Sequence, residues 1–119
     1  MSYQIGIKPL SVNAAFRGRR FKTKDYVEYE EAMLKILPNK IFIPKDKMWL
    51  KVKFQTSSKN ADVDNFLKQF IDCLSKKYGF NDKRIYRLSV LKEDVKKGFE
   101  SIEFQFYKYD PLLTPRDIS

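Results

Sequence analysis

The feature that most constrains the fold is the segment of residues 63–78, in which apolar side chains recur at helical spacing. Such a stripe predicts an amphipathic helix that buries one face against another layer of structure. Gly79 follows directly and is a typical helix C-cap, so the helix is expected to end there. The stripe consists of Val63, Phe66, Leu67, Phe70, Ile71 and Leu74.

Strand patterns lie on both sides of this helix. Between residues 44 and 56 alternate residues are apolar, with Trp49 out of phase, and this alternation predicts a strand. Two more strands are predicted over residues 84–92 and 100–107, joined by a hairpin turn at residues 96–98.

The N-terminal part of the chain adds a strand, a basic loop and a second helix. Alternation predicts a strand over residues 3–7, and residues 9–22 predict a loop with a short hairpin. A helix is predicted from a cap at Thr23 or Asp25 to Leu37. The element order predicts an α+β fold, a two-layer sandwich in which two main helices cover a mostly antiparallel or mixed sheet of about four strands.

The length of 119 residues fits one domain, which we assign to residues 1–109, with residues 110–119 as a C-terminal tail. No apolar run approaches the roughly 18 residues of a membrane helix, and no signal-peptide pattern is present. The one cysteine, Cys73, cannot form an internal disulfide. These features predict a cytoplasmic protein without a membrane partner.

Basic residues are concentrated in two blocks of a chain whose net charge is +9. Residues 1–24 contain six basic side chains and no acid, and residues 76–97 contain eight basic residues against three acids. Such blocks indicate a polyanion, and nucleic acid in particular. The candidate DNA-binding residues are Arg17, Arg19, Arg20, Lys22, Lys24, Lys76, Lys77, Lys83 and Arg84.

The residue types that are missing restrict the possible chemistry. The chain has no histidine, one cysteine and four scattered glycines. These counts exclude imidazole catalysis, histidine or cysteine zinc sites and glycine-rich phosphate loops. Any catalysis must therefore use carboxylates and lysines, and we expect these groups to act around a hard metal ion and without a small-molecule cofactor.

Asp62 and Asp64 are the first candidates for such a site. At helical spacing, Asp64 and Lys68 share one flank of the predicted helix, so a metal-binding carboxylate and a phosphate-facing ammonium would lie side by side. The aspartates can equally be a helix cap and a first-turn residue. Asp72 falls opposite the apolar stripe and is expected to be solvated surface.

Asp82 is the second candidate, although an acid between a helix end and a strand is commonly a turn residue. The combined run DVDNFLKQFIDCL, followed by GFNDKRI, closely resembles the signature of the RusA family of Holliday-junction resolvases. The opening Pro9-Leu10-Ser11-Val12-Asn13 resembles that family's P-x-S-x-N element. Ala61 departs from the pattern, because many relatives have a basic residue before the first aspartate.

The resemblance implies that Asp62, Asp64 and Asp82 are catalytic and metal-binding acids and that Lys68 is a catalytic lysine. It implies an Mg²⁺-dependent endodeoxyribonuclease, with Mn²⁺ as an alternative ion, that resolves four-way DNA junctions as a homodimer making paired nicks. Asn13, within the P-x-S-x-N element, joins the DNA-binding candidates.

The spacing of the acids raises the question of which subunit completes each site. A helix over residues 64–78 would be roughly 22 Å long, and the four residues up to Asp82 can lead back by at most about 14 Å. One chain would therefore hold Asp82 away from Asp62 and Asp64. We expect a composite site in which Asp82 comes from the partner subunit, with a shorter or bent helix as the alternative.

Three other interpretations remain open. A different nuclease layout could combine Asp82 with Asp94-Val95-Lys96 if these residues lay on adjoining strands. The chain could be a non-catalytic basic DNA-binding protein whose aspartates only cap helices and form turns. It could also be an RNA-binding module, although no RNP-like aromatic motif is present.

Overall fold

The computed structural model describes residues 2–17 and 21–112. Within these residues, six strands and three α-helices follow one another along the chain. They are β1 (Tyr3–Ile5), α1 (Val12–Ala15), β2 (Phe16–Arg17), β3 (Phe21–Lys22), α2 (Lys24–Ile36), β4 (Met48–Thr56), α3 (Leu67–Tyr78), a 3₁₀ turn (Asp82–Arg84), β5 (Ile85–Asp94) and β6 (Ser101–Lys108).

The main sheet has the strand order β1-β6-β4-β5. Strand β4 pairs antiparallel with β6 and parallel with β5, and β1 pairs antiparallel with β6. The α+β fold with a mixed four-stranded sheet and two main helices is thus confirmed. The short β2–β3 hairpin pairs separately within the basic N-terminal loop, as predicted.

The predicted hairpin between the last two strands is wrong. Strands β5 and β6 do not pair, and β4 lies between them. Gly98 does reverse the chain, with a φ of 98° that favours glycine, but the connection crosses the end of β4. Strand β4 lies between β5 and β6, and its core-facing side chains are almost completely buried.

The helices α2 and α3 pack on one face of the sheet. Phe54 of β4 lies 5.5 Å from Phe66 and 5.7 Å from Phe70 between ring centroids, and Phe70 lies 5.5 Å from Phe104 of β6. Edge-to-face and tilted rings of this kind favour a tightly packed core. None of the helices in the described ranges combines the length and the apolar character that a bilayer crossing requires.

The two ends of α2 and the C-terminus of α3 agree with the sequence. The Thr23 side chain accepts a hydrogen bond from the Tyr26 backbone and caps α2. Gly79 ends α3 in the left-handed conformation, at a φ of 71°. The predicted start of α3 is wrong by about one turn, because the helix begins at Leu67 and residues 62–66 form non-helical turns.

Trp49 is buried although its position is out of phase with the core. Only 2% of its surface is exposed, and its indole N–H donates to the Ser89 hydroxyl over 2.9 Å. The Tyr107 ring lies 5.0 Å from the Trp49 ring, and the Arg87 guanidinium lies over it at 4.6 Å. The sheet face opposite the helices therefore has a small aromatic cluster of its own.

Candidate active site

Asp62 and Asp64 lie in a turn of residues 61–66, called here the DxDN turn. Both side chains are exposed. Asn65 fixes the turn, because its backbone oxygen and its Oδ1 both accept from the Val12 N–H, at 2.9 and 2.8 Å. Val12 belongs to the segment that resembles the P-x-S-x-N element. The two segments on which the RusA resemblance depends are therefore in contact.

The same bonds explain why α3 starts late. The Gln69 side chain, which is fully buried, donates to the Asn65 carbonyl over 2.9 Å and also to the Leu10 carbonyl. The oxygens of Asn65 thus accept hydrogen bonds from Val12 of α1 and from the Gln69 side chain. These bonds replace the backbone hydrogen bonds that a first helical turn at residues 63–66 would form.

Lys92 of β5 is a site residue that the sequence reasoning missed. Its ammonium donates to the Ala61 carbonyl over 2.7 Å and to the Lys59 carbonyl over 3.0 Å. A positive charge thus lies against the DxDN turn, although position 61 itself is alanine. One signal was available, since Lys92 interrupts the alternation of core-facing apolar residues along β5.

Lys68 lies on the first turn of α3, with an exposed side chain. Its ammonium lies 5.1 Å from the centroid of the Phe16 ring, on strand β2. Phe16 in turn packs edge-to-face against Tyr26 of α2, with the ring centroids 5.2 Å apart. The lysine predicted to be catalytic is therefore in contact with the N-terminal hairpin.

The expectation that Asp72 is solvated surface is wrong. Asp72 is half-buried, and the Tyr26 hydroxyl donates to its Oδ2 over 3.5 Å. Burial raises the pKa of Asp72, and the negative charge of Asp82 raises it further, whereas the positive charges of Lys68 and Lys22 lower it. The helical spacing predicted that Asp72 faces away from the sheet. It could not predict that α2 packs against this side of α3 and partly buries Asp72.

Asp82 begins the 3₁₀ turn and is exposed. Asn81 caps this turn by accepting from the Lys83 N–H over 2.9 Å. Asp82 lines a groove together with Ile71, so it lies beside the middle of α3. Among residues 2–17 and 21–112, no three acidic or cysteine side chains are grouped closely enough to hold a metal ion.

The layout that combines Asp82 with Asp94-Val95-Lys96 is disfavoured. Asp82 precedes β5 and Asp94 is its last residue. A ten-residue strand separates the two acids by roughly 30 Å. They cannot share an ion within one chain.

The two basic blocks meet at Glu30 of α2. Its carboxylate binds Lys22 at 3.4 Å and Lys76 at 2.7 Å, and the hydrogen bond from Lys76 lowers the pKa of Glu30. Lys24 pairs loosely with Glu28 at 3.8 Å. The basic residues predicted to bind DNA thus include a cluster that extends from β3 to the end of α3.

The remaining candidates divide into two groups. Asn13 and Lys83 are exposed. Lys77 and Arg84 instead bind backbone carbonyls: the Lys77 ammonium donates to Leu34 in the last turn of α2 over 2.8 Å, and Arg84 donates to residues 44 and 46 of the loop before β4. Arg19 and Arg20, the side chain of Arg17 and residues 113–119 of the tail lie outside the described part of the chain.

A shallow groove lies beside Asp82, between α3 and β5. It is lined by Ile71, Ile85, Tyr86 and Leu88 as well as by Asp82. Tyr86 and Leu88 are 57% and 40% exposed, and β5 is an edge strand of the described sheet. An exposed apolar edge next to a candidate site residue is a surface that another chain can cover.

No protein-family model matches the chain, and no curated protein matches it either. The assignment of function therefore depends on the residues, their contacts and the stated resemblance.

Proposed function

We propose that this protein is an Mg²⁺-dependent endodeoxyribonuclease of the RusA type that resolves four-way and related branched DNA junctions. The observation that carries the proposal is the pair of hydrogen bonds between Val12 and Asn65. They join two segments distant in the sequence, each of which resembles a RusA element. Around this junction, Asp62, Asp64 and Lys68 are all exposed.

The chemistry of the exposed groups fits this proposal. The carboxylates of Asp62 and Asp64 are hard oxygen donors of the kind that Mg²⁺ or Mn²⁺ prefers. When bound, the ion supplies a Lewis acid that neutralises phosphate charge and activates water. The Lys68 ammonium would contact a phosphate oxygen as a compact positive charge and stabilise the charge that develops there.

A homodimer with composite sites accounts best for Asp82. Helix α3 has 12 residues and a length of roughly 18 Å, and Asp82 lies beside Ile71, near the middle of the helix. The groove next to Asp82 would be covered by a second copy. In a two-fold dimer, Asp82 of each subunit would face Asp62 and Asp64 of the other. Two equivalent sites of this kind suit paired nicks in opposing strands.

The test is cleavage of synthetic four-way junctions with and without Mg²⁺. We expect wild-type protein to nick the junction in a metal-dependent way, and Asp64→Asn to lose cleavage while it retains junction binding. The same result is expected for Asp62→Asn and Asp82→Asn. Glu31→Gln, which removes an exposed acid on α2, is the control and should cleave normally.

Binding without cleavage in every condition would contradict the proposed nuclease activity and support the alternative of a non-catalytic basic DNA-binding protein.

Lys68→Ala should also lose cleavage but remain folded, because its side chain is exposed. Lys68→Arg should restore little activity, since a guanidinium is a planar fork and not a compact charge.

A further inference from the structure

Lys68 has two neighbouring side chains that the proposed function does not use. The Phe16 ring lies below its ammonium at 5.1 Å, and Asp72 lies one helical turn further along the same face of α3. We propose that Phe16 and Asp72 are positioning residues that hold the Lys68 ammonium where it meets the scissile phosphate. The inference rests on the proposed nuclease function.

Phe16 is well suited to this role because its own position is fixed. Its ring packs edge-to-face on Tyr26, which is completely buried. The Lys22 ammonium lies 4.8 Å from the centroid of the same Tyr26 ring. A series of cation–ring and ring–ring contacts thus runs from Lys22 through Tyr26 and Phe16 to Lys68. A cation over a ring face is attracted by the negative face of the π system.

Asp72 is the second neighbour, four residues after Lys68 on α3. It is held in place by the Tyr26 hydroxyl at 3.5 Å, so Tyr26 contacts both proposed positioning residues. The positive charge of Lys68 lowers the pKa of Asp72, which agrees with an attraction between the two side chains. A flexible lysine with these two neighbours has fewer conformations available than an isolated one.

A merely structural role predicts something different. If Phe16 only packs against Tyr26 and Lys68 only covers its ring, an aliphatic residue at position 16 should serve as well. If Asp72 is only an acceptor for Tyr26, asparagine should replace it without any loss of activity. The distinction therefore depends on substitutions that keep volume or hydrogen bonding and remove the π face or the charge.

The first experiment measures Lys68 directly and needs no nuclease activity. In protein labelled with ¹³C at the lysine ε carbons, the Lys68 resonance is assigned by its absence from Lys68→Arg. We expect its ε protons to be shifted upfield by the Phe16 ring current. Phe16→Leu should remove that shift and Phe16→Tyr should keep it. A Lys68 resonance that does not respond to Phe16→Leu would overturn the proposal.

The second experiment measures junction cleavage and junction binding separately. Phe16→Leu and Asp72→Asn should each lower kcat by on the order of tenfold, with Kd for the junction unchanged, because a displaced charge costs rate and not affinity. Phe16→Tyr and Asp72→Glu should recover most of the rate. The control is Phe99→Leu, since Phe99 is 72% exposed in the turn after β5 and should have no effect.

The outcomes separate this inference from the function on which it rests. If wild type cleaves and neither Phe16→Leu nor Asp72→Asn changes kcat, the positioning role is overturned and the nuclease stands. If wild type does not cleave but the Lys68 resonance moves in Phe16→Leu, the proposed function fails while the contact that anchors Lys68 is real. Thermal unfolding of each variant excludes loss of fold as the cause of a lower rate.

Discussion

The two turns that flank α3 are held in different ways. The DxDN turn is fixed by residues far away in the sequence, since Val12 of α1 and Lys92 of β5 both bond to it. The turn of residues 79–84, called here the Asp82 turn, combines the distant bonds of Arg84 to residues 44 and 46 with local bonds around Asp82 itself. The Ser75 hydroxyl donates to the Phe80 carbonyl, and Asn81 caps the 3₁₀ turn that follows.

Because the two turns have different supports, the candidate acids are held in position by different contacts. Asp62 and Asp64 are positioned by tertiary contacts, so their geometry depends on the complete fold. Asp82 is positioned by the C-terminus of α3, together with the anchorage of Arg84 on residues 44–46. Each turn has its own support, and no described contact joins one to the other. If both turns serve one reaction, a second subunit is the simplest way to bring them together.

The largest expected effect comes from mixing inactive subunits. Asp64→Asn damages the DxDN turn and Asp82→Asn damages the Asp82 turn. In a composite dimer the mixed species has one doubly damaged site and one intact site. The intact site should therefore nick one strand of each junction. The measurement is strand-specific nicking of a labelled junction after co-refolding of the two variants.

If each chain completed its own site, every site in the mixed dimer would carry one lesion and the mixture would remain inactive. Such a result would place Asp82 with Asp62 and Asp64 in one chain. Co-refolding Asp64→Asn with itself provides the background rate.

The second-largest expected effect concerns which of the two basic segments contacts the DNA. Neutralising Arg17, Arg19 and Arg20, in the hairpin segment that also contains Phe16, should flatten the salt slope of junction binding by up to about three units, one for each lost phosphate contact. The matched triple variant removes Lys76, Lys77 and Lys83, near the Asp82 turn. We expect it to change the slope less, because Lys76 and Lys77 have protein partners.

A smaller expected effect is the loss of folding stability when one hydrogen bond is removed from each turn. Asn65→Ala removes one of the two acceptors of the Val12 N–H and should destabilise the protein by about 1–1.5 kcal/mol, because the backbone oxygen of residue 65 still accepts from that N–H. Asn81→Ala removes an exposed local cap and should cost about 0.5–1 kcal/mol. Urea unfolding at constant m-value gives both numbers. Equal losses would mean that the two turns do not differ in the way that their contacts indicate.

The smallest effect is a gain in stability. Because the pKa of folded Asp72 is raised above its unfolded value, its contribution to stability is lost as pH rises through that raised pKa. Above this window the charged carboxylate is unfavourable, so Asp72→Asn should raise Tm at pH 7. The gain should stay below about 1 kcal/mol, because solvent screens a half-exposed site. At pH 3 wild type and variant should have the same Tm; a gain that persists there would point to packing.

The sequence predicted the elements better than their arrangement. The Thr23 cap and the Gly79 C-cap are local signals, and both lie where the sequence indicates. The order of the strands is not local, because residues 96–98 give the same turn signal whether the flanking strands pair or lie on either side of β4. Local sequence signals thus predicted where helices and strands end, but not which strands pair with each other.

The candidate site shows the same limit. Asp62, Asp64, Lys68 and Asp82 were found from spacing and resemblance, and the structure describes all four as exposed. The surroundings of Asp72 and the contact of Lys92 with Ala61 were not found. Both depend on which elements pack against α3 and the DxDN turn, and helical periodicity measured on one segment contains no information about that packing.

The pairing of β1 with β6 has a consequence for how the protein folds. Tyr3 is paired with Phe104, so the sheet joins residues near opposite ends of the described chain. Contacts of such long sequence separation carry a large loop-closure entropy and form late and slowly. During synthesis on the ribosome, the first strand must wait for β6 to emerge before it has a partner. We therefore expect β4, α3 and β5, which are contiguous in the chain, to assemble first. The N-terminal segment with Val12 would dock last and would fix the DxDN turn only at that stage.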